Sequence, residues 1–152
     1  MRKLNLDVFI NPEKYKEKIS VDKIVADPKI SRIGVKRYRI ILSKGKSLGT
    51  IIVIKHPRED IYAVLDGHHR FYAQLESGIK EIECAVVGNF SSFMFYLTKD
   101  GWFQPPREVT EYIRIPILKF REGLDDYLNE FLKDPKKIKK TMLKKFPKLP
   151  LK

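Results

Sequence analysis

The chain has 152 residues, 43% of them apolar, and carries 31 Lys and Arg against 19 Asp and Glu, a net charge of +12. That length suits one domain with its own core, and the charge speaks of partners and not of fold, with nucleic acid, nucleotides or an anionic membrane surface as the matching polyanions. A single cysteine, Cys84, excludes an internal disulfide, and no stretch approaches the ~20 apolar residues of a membrane helix, so a cytoplasmic protein with no membrane partner is expected. Met1 to Ile10 has two basic residues and no apolar run behind them, so no leader is expected either.

In chain order, Asn11-Pro12 reads as a helix cap followed by proline at the first helical position, opening a short helix through Lys16. Ile19 to Val25, apolar at 19, 21, 24 and 25, predicts a short strand running into a turn at Asp27-Pro28. Val35 to Ser43 has apolar residues at 35, 38, 41 and 42, a helical spacing closed by Gly45 and Gly49. Ile51 to Ile54 and Ile61 to Leu65 are short β-branched runs on either side of the polar turn His56 to Asp60, and are expected to pair as a hairpin.

Phe71 to Ser77 predicts a helix with Gly78 just past its end, and Ile82 to Val87 a third buried strand. Ser91-Ser92 caps an expected helix to about Leu97, with a strand as the alternative on account of Phe93, Phe95 and Tyr96; Trp102 to Arg107 with its Pro105-Pro106 reads as a loop, and Tyr112 to Phe120 as an edge strand or an extended segment because of Pro116. Leu124, Tyr127, Leu128, Phe131 and Leu132 trace an amphipathic helix that Pro135 interrupts; Ile138, Met142 and Phe146 continue the apolar face beyond it. Lys133 to Lys152 holds nine lysines and one acid, Asp134, so +8 of the +12 lies there and Met1 to Leu132 carries only +4. The expected organisation is an α/β (α+β) domain over residues 1–121 with its core at 19–87, a small mixed sheet flanked by helices. Residues 122–152 are expected to form a helical basic extension.

The informative unit is Ile61 to Val87: strand, Asp66-Gly67-His68-His69-Arg70, helix, glycine, strand. Gly67 allows a sharp turn and close backbone approach to a ligand. The residues after it place unpaired N–H groups at the positive end of a helix dipole, an anion site before any side chain is counted. Arg70 adds a donor fork suited to phosphate oxygens, and His68 and His69 add two more donors. Asp66 either caps the turn or shares a divalent cation with the phosphates. Two adjacent histidines point about 100° apart on a helix and do not chelate one ion together, and with His56 as the remaining histidine a zinc site lacks ligands.

Leu65 to Ala73, with Gly78-Ile79 and the strand behind them, resembles the ParB/sulfiredoxin superfamily. The likeness runs from about Ile19 to Val87, with Ile19 to Ile24 matching the opening segment, Val35 to Ser43 the variable helix and Ile51 to Ile54 the first core strand. The resemblance implies a nucleotide-phosphate site at this turn. ParB proteins, which bind CTP and DNA, spell it Gly-Glu-Arg-Arg; Gly67 and Arg70 match, while His68 and His69 replace the middle pair. Sulfiredoxins spell it Gly-Cys-His-Arg, and His68 stands where their essential cysteine would be. The spelling here is most similar to archaeal ADP-dependent free-serine kinases. Those carry a catalytic glutamate after the opening segment, where Val25 to Lys29 here offers only Asp27.

The expected function is therefore that of a nucleotide-binding protein, a small phosphotransferase or nucleotide hydrolase using Mg2+ with ATP or ADP. Asp66, Gly67, His68, His69 and Arg70 would hold the phosphates, Asp66 the metal, and Asp27 or His69 would act as general base. The alternative is a basic ParB-like protein that binds DNA or RNA, possessing or lacking nuclease activity, through Lys136, Lys137, Lys139, Lys140, Lys144 and Lys145, with Trp102, Phe103, Phe131 and Phe146 offering stacking surfaces. A third reading is an interaction module without catalysis. Oligomeric state is left open.

Overall fold

The computed structural model describes residues 4–89 and 124–145. The expected helix at Ser91, the loop at Trp102, the extended segment from Tyr112 and Phe146 lie outside the described residues. Five strands form one mixed sheet: β1 (Glu17–Ser20), β2 (Ile24–Val25), β3 (Ile51–Lys55), β4 (Tyr62–Asp66) and β5 (Glu81–Asn89), in the order β1-β5-β3-β4-β2. β1/β5 and β3/β4 pair antiparallel, and β3/β5 and β2/β4 pair parallel. Among the described residues four helices flank it: α1 (Arg32–Ser43), α2 (His68–Glu76), α3 (Leu124–Lys133) and α4 (Pro135–Lys145). This is the small mixed sheet with flanking helices expected of a ParB/sulfiredoxin-like fold.

The connection between β1 and β2 fixes the shape of the sheet. These strands lie on opposite edges, yet a single 3-10 turn, Val21–Lys23, joins them. Four strand spacings across a flat sheet come to about 19 Å, whereas the four residue steps from Ser20 to Ile24 span at most about 14 Å. The sheet must curl to bring its edges together. The expected single strand over Ile19 to Val25 is thereby corrected: its two halves pair with different partners, Ile19 with Ile82 and Ile24 with Tyr62.

Both faces of the sheet are covered, which explains why β3 and β4 read as unbroken apolar runs. Ile52 and Ile54 point into a cluster with Leu65, Val87, Val8, Phe9 and the α3 residues Tyr127, Leu128 and Phe131. Ile51 and Val53 point into the opposite cluster with Val64, Phe71, Tyr72 and Leu75, and with Val35 of α1. Helix α4 contributes to both, Ile138 to the first and Met142 to the second, and Lys139 donates its ammonium to the Asp22 carbonyl. It thus packs around the short β2 edge, which would otherwise expose unpaired backbone groups.

The local details differ from the sequence reading in several places. Helix α1 begins at Arg32 and not at Val35, because the Ser31 hydroxyl accepts the Gly34 N–H and caps it. The segment after Asn11 is a 3-10 turn, Pro12–Tyr15, and a second such turn at Leu6–Phe9 buries Val8 and Phe9. His56 is fully buried: its Nδ1 accepts the N–H groups of Arg58 and Glu59 at 3.1 and 3.0 Å, so its Nε2 donates to the Leu132 carbonyl at 3.2 Å and ties the hairpin turn to α3.

Candidate functional site

Strand β4 ends at Asp66, Gly67 turns the chain, and α2 starts at His68. Gly67 sits at φ 102°, and a Cβ there would lie 2.7 Å from Ile51 Cγ2 and 2.9 Å from Arg70 Nη2. No other residue fits this turn without displacing the strand beside it. The first turn of α2 lies at the positive end of the helix dipole.

The two histidines hold the neighbouring loop. His68 is 5% exposed and packs edge-on against Tyr127 at 5.6 Å, and its Nδ1 accepts the Asp27 N–H at 3.0 Å. His69 accepts the Ser31 N–H on Nε2 at 3.1 Å. Each ring therefore offers a lone pair to the loop between β2 and α1, and neutral imidazole then carries its hydrogen on the opposite nitrogen. Gly34 makes room for this: a Cβ on it would fall 2.6 Å from His69 Cδ2. The loop that carries Asp27 is fastened at both ends to the start of α2.

Arg70 is 18% exposed along its side chain and is largely engaged within the fold. Its Nη1 donates to the carbonyls of Leu48 and Thr50 at 3.4 and 3.2 Å, and Nη2 meets Asp66 Oδ2 at 3.3 Å. Asp66 remains 46% exposed. Sequence reasoning missed Glu13, which arrives from the Pro12–Tyr15 turn: its Oε1 accepts the Thr50 N–H at 2.9 Å. That backbone hydrogen bond, helped by the nearby positive charges of Lys16 and Arg70, holds the Glu13 carboxyl below its ordinary range. No local pattern announces this role, since it depends on two segments meeting.

Asp27 is 6% exposed, with Oδ1 accepting the Lys29 N–H at 2.9 Å. Beside it opens a cavity of about 210 Å3, walled on the far side by Tyr127, Glu130, Lys137 and Ile138 of α3 and α4. The Tyr127 hydroxyl donates to the Val25 carbonyl at 2.9 Å, and burial pushes its ionisation well above the ordinary tyrosine value. Tyr72 reaches the same loop, donating to the Ala26 carbonyl at 3.2 Å. Cys84, in β5, is remote from the turn in sequence and buried, its thiol pushed up to about 12 by desolvation, which leaves it protonated and unsuited to nucleophilic chemistry at neutral pH.

Among the described residues, no three His, Cys, Asp or Glu side chains are grouped to hold a metal ion, and no helix is long and apolar enough to cross a membrane. On α4, Lys136, Lys140 and Lys144 are exposed at i, i+4 and i+8. Lys137 pairs with Glu130 at 3.0 Å, Lys139 serves the Asp22 carbonyl, and Lys145 ends the helix.

No protein-family model matches the chain, and no curated protein matches it. Among solved structures it is similar to a conserved hypothetical protein from Pyrococcus furiosus, at TM-score 0.45 and 21% identity over 49% of this chain and 33% of that one. It is also similar to a free serine kinase in complex with AMP, at TM-score 0.45 and 21% identity over 56% of this chain and 33% of that one. A sulfiredoxin from Arabidopsis thaliana matches at TM-score 0.40 and 20% identity, over 47% of this chain and 82% of that one. The matched region thus spans about a third of the length of the first two.

Proposed function

We propose that the Gly67–Arg70 turn binds the phosphate of a nucleotide and that the protein is a small phosphotransferase or nucleotide hydrolase. The observation that carries this reading is the left-handed Gly67 opening α2 directly from β4, with Asp27 fastened beside it through His68. Backbone amides of the first turn supply the donors, and the guanidinium of Arg70 adds positive field from behind, without leaving its carbonyl acceptors. The half-exposed Asp66 carboxylate would hold a magnesium ion, which when bound would neutralise charge on the phosphates.

In the transfer step, an acceptor hydroxyl or a water attacks the terminal phosphorus. Its proton passes to a base, and the bond from phosphorus to the leaving nucleotide oxygen breaks. Asp27 suits the base role better than His69, whose Nε2 is already occupied by the Ser31 N–H. The test is a panel of AMP, ADP, ATP and CTP, with and without magnesium, read by thermal shift and calorimetry. A nucleotide at 100 times its dissociation constant adds about 2.7 kcal/mol of stability, and Gly67→Ala removes the gain. Absence of any heat or shift at millimolar nucleotide rejects the proposal.

Nucleic-acid binding is the second reading, supported by the exposed line Lys136, Lys140 and Lys144. Affinity for duplex DNA that falls steeply with salt and weakens in the triple Glu variant of these positions supports it, since phosphate contacts release counterions. Salt-independent binding, or binding unchanged in that variant, removes it.

A further inference from the structure

From Pro28 to Arg58 the sequence contains no acid, and residues 28–46 alone hold seven Lys and Arg. Helix α1 lies in this stretch. Val35 is buried, and Tyr38 and Leu42 pack beside it against the core. At 100° per residue, Ile33, Arg37, Ile40 and Lys44 then share the outward line, with Lys36 adjacent. Ile33 is 69% and Ile40 47% exposed. This outward ridge is about 16 Å long. Lys36, Arg37, Lys44 and Lys46 form no ion pair among the described residues, whereas Arg32 and Arg39 are partly neutralised from below by Glu76 at 2.6 and 3.6 Å. Alongside the ridge, a hollow of about 430 Å3 is lined by Lys36, Arg39, Ile40, Leu42, Ser43 and Ser77.

We infer that α1 is a docking surface for an anionic lipid bilayer. Two isoleucines two turns apart on the solvent side gain nothing from the core, and the cations between them match phosphate headgroups. A nucleic-acid phosphate would satisfy the cations and leave the isoleucines in water. A protein partner gripping one short helix would bury less than the ~800 Å2 per side of a stable interface. A bilayer needs no shape complementarity: the helix lies in the interface with Ile33 and Ile40 at the acyl boundary and its lysines among the headgroups. The hollow, with two cations, two hydroxyls and an apolar wall, suits one headgroup phosphate. The expectation of no membrane partner rested on the lack of a spanning segment, which says nothing of a helix lying on the surface.

The test is flotation of the full chain with vesicles of phosphatidylcholine alone and of phosphatidylcholine mixed with phosphatidylglycerol. Binding is expected on the anionic vesicles only. Ile33→Ser with Ile40→Ser is expected to weaken it by about tenfold, a change reached when a modest apolar contact is lost, and Lys36→Glu with Arg37→Glu to abolish it. Circular dichroism verifies that these surface variants keep the fold. Lys136→Glu with Lys140→Glu and Lys144→Glu is expected to bind as the parent does. Wild-type protein that ignores anionic vesicles overturns the proposal, as does an isoleucine variant that binds like wild type. Loss of binding in the α4 variant in place of the α1 variants overturns it too, and so does DNA binding through Lys36 and Arg37 by a protein indifferent to vesicles.

Discussion

The Asp27 amide and the His68 ring, 41 positions apart, are joined by a buried hydrogen bond of 3.0 Å in which the imidazole is the acceptor. One side chain of the Gly67–Arg70 turn thus holds the backbone of the loop that carries the proposed base. His68→Ala leaves that amide buried without a partner and is expected to cost about 1–3 kcal/mol in urea unfolding. His68→Asn, which restores an acceptor oxygen, is expected to recover part of it. An alanine variant as stable as wild type contradicts the fastening role.

Gly67→Ala meets both an unfavourable φ and a collision with Ile51 and Arg70. Gly78, at φ 79°, has nothing within 4 Å of an added Cβ. Gly78→Ala therefore measures the backbone strain alone, about 1–2 kcal/mol. Gly67→Ala is expected to exceed it and to weaken nucleotide binding, whereas Gly78→Ala leaves binding unchanged. Equal losses in chemical denaturation for the two variants refute the close packing of the turn.

Glu13 provides a pH-dependent contribution. Its folded carboxyl titrates below the ordinary 4.5 because it accepts the Thr50 N–H, so the stabilisation is present above the unfolded value and disappears as pH falls through the lower, folded one. The group is 59% exposed, so screening keeps the effect within about 1 kcal/mol. Glu13→Gln should be less stable than wild type at pH 7 and indistinguishable from it at pH 2, both read by denaturant midpoint. A difference that persists unchanged in acid argues against the carboxylate as its source.

Tyr127 titrates in the opposite sense. Its phenol is raised far above the ordinary 10.0 by burial. Stability from this group is complete below pH 10 and declines as pH climbs from there towards the folded value, because the unfolded chain releases the proton that the folded chain keeps. Tyr127→Phe removes the donor to the Val25 carbonyl at a cost of about 1 kcal/mol and flattens that alkaline decline. Tyrosinate absorbance rising at pH 10 from Tyr127 while the fold is intact, located by comparing wild type with Tyr127→Phe, would contradict its burial.

The strand, turn, helix and strand over Ile61 to Val87 were legible because every signal there is local. β-Branched runs mark the strands, Gly67 permits a positive φ, and Gly78 follows the helix end. The hairpin of β3 and β4 was legible for the same reason. The cap at Ser31 has a local signal as well, a serine just ahead of the apolar periodicity. Glu13 left no local trace, and Val8 and Phe9 sit in a turn too short for periodicity to show.

By its own residues the chain determined which stretches become strands or helices and where a left-handed glycine opens a helix directly from a strand, since those follow from side-chain shape, spacing and the freedom of glycine. Only the tertiary structure decided that Ile19 and Ile24 serve opposite edges, that His68 and His69 turn their lone pairs to the Asp27–Ser31 loop, and that α3 and α4 wall the cavity beside Asp27. The physical reason is that the short link between β1 and β2 forces the sheet to curl. Which distant groups then meet depends on that curl and not on any neighbour in sequence.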